Sequence, residues 1–600
     1  MKDYTLRGTS GHDFLRAWLP GSHYIHAGSG NDEIVGSNYG DLIYGYYGND
    51  VIYTGTGDDT VYGGGGDDNL VLSAGDDYLH GGTGSDFVSL AYAEDSVTAD
   101  LNAGYVRSTI GDRANIGNNT INYIENVIGS KYKDVVYGNS SANVVYGGGG
   151  NDHIQLRGGN DKAYGGEGHD TFIEGAGNDF YSGGAGFDKL MLDYYDPADG
   201  KGAWLDVTKG TLQSRGGDLD IGFNRFQGIE RFDLTHGDDI VDSSDHVRQI
   251  INLERGDDMI TAGFNDVING GRGKDTLNLF KNGVKIDRYE LKEGKGYNGE
   301  KVLLEFKNFE VFLGSESAET FRIPYKNDLT VYAKGGDDTL IASGQNLVLS
   351  GDDGNDTVSL HNASGKFYGG NGQDEFHVSN TSGEIYGGAG HDKVHISKSG
   401  TMDELIYVQD AEVFLEGDSS GYMVWFVDDA EDLYRSTDTV YVNDALAVHG
   451  TDHDDTFIGN SQSDYGISIR AGDGNDEIFG SNKVDRIEGE GGDDLLSGGA
   501  GADIFVFNGN KGAFGDDNII DITLSTNEKY ADDLLFIDVH RVGSGGLYDS
   551  FDDFDTNGDG FVTAADDDIA QVGADLVMSF AEGSVTIEGI NVLSEENFFF

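Results

Sequence analysis

The sequence predicts an all-β protein, a parallel β-roll or β-solenoid, and three observations carry the prediction. Between residues 26 and 90 an aspartate recurs every nine positions, at Asp32, Asp41, Asp50, Asp59, Asp68, Asp77 and Asp86. Two residues after each stands an aliphatic: Ile34, Ile43, Ile52, Val61, Leu70, Leu79 and Val88. Glycines crowd the positions before each aspartate, as in GGGGDDNLV. Each unit therefore divides into a glycine turn and a short strand. Glycine supplies positive φ and lets carbonyls turn inward without a Cβ clash. The strand buries only its middle residue, so that residue is apolar and its neighbours need not be.

Two nonapeptides make one coil, and coils stack about 4.8 Å apart. Asp32 and Asp50 then become vertical neighbours, whose carboxylates repel unless a cation lies between them. Calcium suits the place: it is hard, takes six to eight oxygens and accepts both carboxylates and carbonyls. Zinc would ask for His or Cys, which the turns do not supply regularly. Composition agrees. With 95 Gly, 3 Pro, no Cys and a net charge of -67, the chain has no disulfide staple, and metal is the natural substitute. The charge excludes nucleic acid and anionic membrane as direct electrostatic partners. No apolar run approaches a membrane helix, so membrane insertion is not expected. The opening MKDYTLRGTSGHDFL lacks the apolar core of a signal peptide. Cytosolic calcium is too low for extracellular-type sites with Kd of about 10⁻⁴–10⁻³ M. Export through a C-terminal signal reconciles the two. Without calcium the repeat segments are expected to be unfolded.

In order, the first run occupies 1–90 and is followed by a β spacer, 91–123. The second run, 124–190, carries Asp134, Asn143, Asp152, Asp161, Asp170, Asp179 and Asp188. Asn143 offers a neutral oxygen and a weaker site. After the spacer 191–235 comes a less regular third run, 236–277, with Asp239, Asp258, Asp266 and Asp275. Its uneven spacing predicts small bulges at the turns. The spacer 278–327 is rich in lysine (Lys281, Lys285, Lys292, Lys295, Lys301, Lys307). That cluster reads as a solvated face or as a docking patch for an acidic neighbour.

The fourth run, 328–395, has Asp338, Asp356, Asp374 and Asp392 at twice the usual spacing, with Leu347, Gly365 and Gly383 at the intermediate turns. Its core series still runs in nines: Leu340, Leu349, Val358, Phe367, Phe376, Ile385, Val394. The coil should persist on both sides while calcium stacks on one. The spacer 396–447 follows. The fifth run, 448–507, has Asp455 and Asp464, then an insertion, then Asp476, Asp485, Asp494 and Asp503. Spacers alternate like strands, as in VKIDRYEL and KVLLEF. They read as metal-free coils or flaps of one solenoid, or else as small separate β-domains. If every residue coiled there would be ~33 coils. The last segment, 508–600, reads as a β cap enclosing DTNGDGFVTAAD, a match to the EF-hand calcium loop. Asp555, Asn557 and Asp559 take its first ligand positions, Gly560 the turn, Phe561 a carbonyl, Thr563 a later ligand, and Asp566 the closing acid.

These repeats, the spacer pattern VTADLNAGYV…YIENVIGS and the ending from GGAGADIFVF to an apolar terminus resemble RTX (repeats-in-toxin) proteins. The resemblance implies release by type I secretion machinery and folding in external calcium, with roughly 15–20 ions shared between coils. It implies a secreted structural protein of the bacterial cell surface, a surface layer or matrix, whose copies assemble through calcium bridges. An RTX adhesin or carbohydrate-binding protein is the alternative, with cell-surface polysaccharide as a further candidate partner and Tyr422, Trp425 and Phe426 as candidate sugar contacts. No H-E-x-x-H occurs, and no G-x-S-x-G precedes the repeats, so no enzyme is expected. His12, His169 and His391 precede repeat aspartates and should face outward. Solenoids need polar caps, and an exposed end invites stacking on another copy.

Overall fold

The computed structural model describes residues 4–111, 113–192, 196–216, 221–243, 247–279, 286–390, 392–397, 404–409, 412–416, 422–426, 439–442, 447–450, 454–459, 466–508, 514–521, 534–538, 561–562, 569–572, 575–579, 583–588, 593–594 and 598–599. Among the described residues every regular element is a strand. They wind as a parallel β-solenoid of about 24 turns, divided between two units. One unit comprises 1–282 with 302–311, and the other 283–301 with 312–600.

In the first unit each coil contributes one strand to each of two rows. One row stacks His23–Ser29, Leu42–Tyr47, Thr60–Gly65 and Tyr78–Thr83. Its register aligns Ile25, Ile43, Val61 and Leu79. The opposite row stacks Glu33–Val35, Val51–Tyr53, Asn69–Val71 and Phe87–Ser89, aligning Ile34, Ile52, Leu70 and Val88. These aliphatics are fully buried, each worth about 1.5–3 kcal/mol. Residues 18 apart in sequence are thus neighbours one coil apart, as the nine-residue period requires.

The first two spacers are interruptions of these rows with one topology. In the first, Val97–Asp100, Tyr105–Ser108 and Asn118–Asn122 form an antiparallel meander. Its outer strands join the row in parallel, to Tyr78–Thr83 on one side and Val135–Tyr137 on the other. In the second, Lys201–Asp206, Thr211–Ser214 and Phe223–Gln227 repeat the arrangement in the opposite row, between Phe180–Ala185 and Asp238–Asp242. Both hairpins turn on an aspartate. Asp100 Oδ1 accepts the amides of Asn102 and Ala103, and Asp206 Oδ1 that of Lys209. Residues spent on these meanders reduce the coil number below the ~33 of a fully wound chain.

In the second unit, where the intermediate turns of the fourth run lose the aspartate, the strands run straight through them. Thr339–Asp353 and Thr357–Gly372 are continuous, with Leu347 beside Gly365. All seven core positions from Leu340 to Val394 stay buried. Strands Glu404–Gln409, Glu412–Glu416, Tyr422–Phe426 and Thr439–Val442 continue both rows in parallel, with no meander among the described residues. Gly583–Ile587 adds in parallel to Gly515–Ile519, and Asp575–Ser579 turns back along it. Phe561–Val562 pairs with Leu593–Ser594.

Candidate metal centres

The repeat aspartates form hydrogen-bonded ladders along the turns. The Asp32 amide donates to Asp50 Oδ1 at 2.8 Å, Asp50 to Asp68 at 2.8 Å, and Asp68 to Asp86 at 2.8 Å. The opposite edge links Asp41 to Asp59 and Asp59 to Asp77. The same bond joins Asp134, Asp152, Asp170 and Asp188, and Asn143, Asp161 and Asp179. It also joins Asp239, Asp258 and Asp275, Asp338, Asp356, Asp374 and Asp392, Asp455, Asp476 and Asp494, and Asp485 and Asp503. One oxygen of each carboxylate therefore fixes the spacing of coils.

What happens to the second oxygen separates two kinds of turn. In the first, Oδ2 is buried and lacks a hydrogen-bond partner: Asp32, Asp50, Asp59, Asp68, Asp86, Asp152, Asp161, Asp170, Asp188, Asp258, Asp338, Asp356, Asp374 and Asp476. In the second, Oδ2 is occupied. Ser37, Ser130 and Ser481 each donate their amide to Oδ2 and their hydroxyl to Oδ1 of Asp41, Asp134 and Asp485. Thr235 does the same for Asp239. Tyr181 reaches Asp179 Oδ2, and Ser243 and Gly263 reach Asp266 Oδ2.

The backbone four residues before the aspartate marks the difference. Many turns of the first kind have positive φ there, on glycine at Gly64 and Gly148 but also on Tyr46 (77°), Glu254 (70°), Lys334 (85°) and Asp352 (70°). Non-glycine residues adopt that region at a cost, and such strain gathers at functional sites.

The unpartnered oxygens sit in a cradle. A Cβ added to Gly63 would collide with Asp68 Oδ2 and with the carbonyl of Gly81, one coil on. Gly147 stands likewise against Asp152 Oδ2 and the Gly165 carbonyl, and Gly369 against Asp374 Oδ2 and the Gly387 carbonyl. A carboxylate oxygen and a carbonyl oxygen from adjacent coils thus converge on space that only glycine leaves open. Among the described residues no three His, Cys, Asp or Glu side chains converge on a metal-binding point. Any ion in these turns takes most of its oxygens from the main chain, which suits calcium and not zinc.

Electrostatics agree. Burial, with neighbouring aspartates adding to it, pushes Asp59 up to about 8, and Asp258 and Asp476 up to about 9. Burial likewise pushes Asp50 up to about 6. A buried anion with no partner is costly, and a divalent cation held by the free Oδ2 removes that cost. The residues fit calcium.

Several sequence expectations change in detail. Asn143 occupies a ladder position, but its Nδ2 donates to the Glu125 carbonyl at 2.7 Å. Its Oδ1 accepts the Asn139 amide at 2.9 Å, so the oxygen on the ion's side of the turn is taken, as at Asp41. Asp266 lies on the other edge from Asp258, as successive repeat aspartates do, and accepts the amide of Gln249 17 residues back. The irregular spacing comes from coils of 19 residues, from Asp239 to Asp258, and of 17, from Asp258 to Asp275. Asp464 lies outside the described residues, and the amide that reaches Asp485 is that of Ile467. Asp555, Asn557, Asp559, Gly560, Thr563 and Asp566 of the EF-hand-like loop also lie outside them, as do His391, Lys281 and Lys285. Phe561 is described only as part of a short strand. The side chains of Tyr422, Trp425 and Phe426 are likewise not described.

Sequence reasoning missed two sets of residues. Ladders end on side chains from the spacers: Glu125, Glu230 and Glu310 accept the amides of Asp86, Asp188 and Asp275. Asn119 and Asn224 accept those of Asp77 and Asp179. The signal was a glutamate after an aromatic or aliphatic residue in YIENVIG, GIERFDL and NFEVFLG. Second, the residue before the aspartate is an acceptor that runs a reverse ladder. Asn31 Oδ1 takes the Asn49 amide, Asn49 that of Asp67, and Asp67 that of Ser85. Exposed His169 holds this place and accepts the Phe187 amide through Nδ1.

A family model described as the RTX calcium-binding nonapeptide repeat (4 copies) matches residues 26–61, 53–88, 114–154, 156–190, 253–279, 330–361 and 469–505. No curated protein matches the chain. No helix among the described residues is long and apolar enough to cross a membrane.

Proposed function

We propose that this chain, which carries RTX calcium-binding nonapeptide repeats in multiple copies, is a secreted structural protein that folds outside the cell as calcium fills its glycine turns. Copies then assemble into a surface layer or matrix. The observation that carries the reading is the line of buried Oδ2 atoms without partners, from Asp32 to Asp476. Asp68, Asp152 and Asp374, with the glycine carbonyls beside them, would hold the ions. Calcium supplies the positive charge that lets these carboxylates stay ionised in the stacked coils.

Assembly is supported by the mass of the chain being scaffold and by its net charge of -67, which leaves acidic surface for calcium bridges between copies. Type I secretion machinery is the export partner that the RTX repeats suggest. Calcium titration followed by far-UV circular dichroism and electron microscopy tests both parts. Ordered sheets or filaments are expected at millimolar calcium. Monodisperse monomers at high protein concentration would overturn assembly, and a β-signal that survives exhaustive chelation above about pH 8 would overturn the calcium sites.

A further inference from the structure

The meander of the second spacer presents a pocket of about 220 Å³ lined by Trp204, Asp206, Lys209, Thr211, Gln213 and Phe223. Cross-strand register puts Trp204, Gln213 and Phe223 in one line across three strands, with Asp206, Thr211 and exposed Arg225, which is outside the pocket lining, in the next. Trp204 is 46% exposed and Phe223 44%. Neither ring stacks on another ring or a cation among the described residues. Tyr44, by contrast, spends its faces on His26 and Tyr62.

The first spacer supplies an internal control. Its meander has the same topology, and the line corresponding to Trp204, Gln213 and Phe223 is Thr98, Arg107 and Asn118. The fold does not need aromatics there. Their exposure is a property of this one meander, and large exposed apolar groups that packing does not require mark recognition. The polar groups between them suit a neutral ligand rich in hydroxyls. Lys209 and Asp206 neutralise each other at 2.6 Å, so the pocket offers no net charge. The Gln213 amide and the Thr211 hydroxyl carry no side-chain hydrogen bond among the described residues. Two strand spacings separate Trp204 from Phe223, about 10 Å, the length of two linked pyranose rings.

We infer that this pocket binds a neutral polysaccharide, its rings lying on Trp204 and Phe223 and its hydroxyls bonding Gln213 and Thr211. The calcium-loaded full chain should show saturable change in tryptophan fluorescence with at least one of cellohexaose, maltohexaose, xylohexaose or mannohexaose. Trp204→Ala and Phe223→Ala should each weaken that binding tenfold or more, read by calorimetry. Both side chains are exposed, so circular dichroism in calcium should be unchanged. Conversely, Thr98→Trp and Asn118→Phe combined with Arg107→Gln and Tyr105→Thr should install a second site and raise the stoichiometry. Failure of all four sugars to bind, or unchanged affinity in both alanine variants, overturns the assignment. So does loss of calcium-dependent self-association in those variants without loss of sugar binding, which would make the pocket a contact between copies.

Discussion

At the scale of the residue, the two oxygens of a repeat aspartate have different work, and substitution separates them. Asp68→Asn keeps the Oδ1 that receives the Asp50 amide but turns an N–H toward the Gly81 carbonyl. It should cost one bound calcium in native mass spectrometry while the coil remains. Asp41→Asn should leave the calcium count unchanged, because Ser37 already satisfies that carboxylate. Tyr46 sits at φ 77°. Tyr46→Gly should stabilise the calcium-loaded fold by about 1 kcal/mol in chemical denaturation.

Acid acts on the same groups with a definite sign. In the metal-free fold Asp59 titrates at about 8 and Asp258 at about 9, against an ordinary 3.8. The metal-free fold therefore takes up protons that the unfolded chain releases. Its stability is intact below 3.8 and is lost as pH rises through the folded values. Dialysed, calcium-free protein should gain β-signal in circular dichroism as pH falls from about 8 to about 4, and calcium affinity should weaken over the same interval.

At the scale of the element, the nonapeptide strand and its buried aliphatic were fully legible, because a period of nine repeated in phase admits one register. The fourth run was legible in its core: the unbroken series from Leu340 to Val394 predicted coils persisting on both sides, and those positions are buried, whereas the strand Thr339–Asp353 running straight through the intermediate turn was not foreseen. The turn chemistry was only half legible. Asp41 and Asp50 look alike in sequence, yet Ser37 closes one and Tyr46 opens the other. The signal was a serine or threonine four residues back. The capping glutamates were hidden because they lie 35 to 42 residues from the amides they receive, a separation no local period reports. Glu230→Ala should remove the acceptor for the Asp188 amide, costing about 1–3 kcal/mol. Hydrogen exchange at Lys189–Met191 should quicken while that at Ile34 and Ile52 stays unchanged.

At the scale of the molecule, each coil touches only its neighbours, so stability is close to a sum over coils and the interfaces between them. Within the first unit the two meanders fall on opposite rows, and this has a geometric consequence. The first pushes two added strands into one face of the solenoid, a step of about 10 Å. On its own that would leave the two faces out of phase, with every later coil slanted to span the offset. The second meander inserts the same step into the other face, and by Ile250–Asn252 and Met259–Thr261 the rows carry equal numbers of strands again. The pair behaves like a dislocation and its opposite in a crystal: each distorts the stacking locally, and together they cancel, so coils on either side lie parallel.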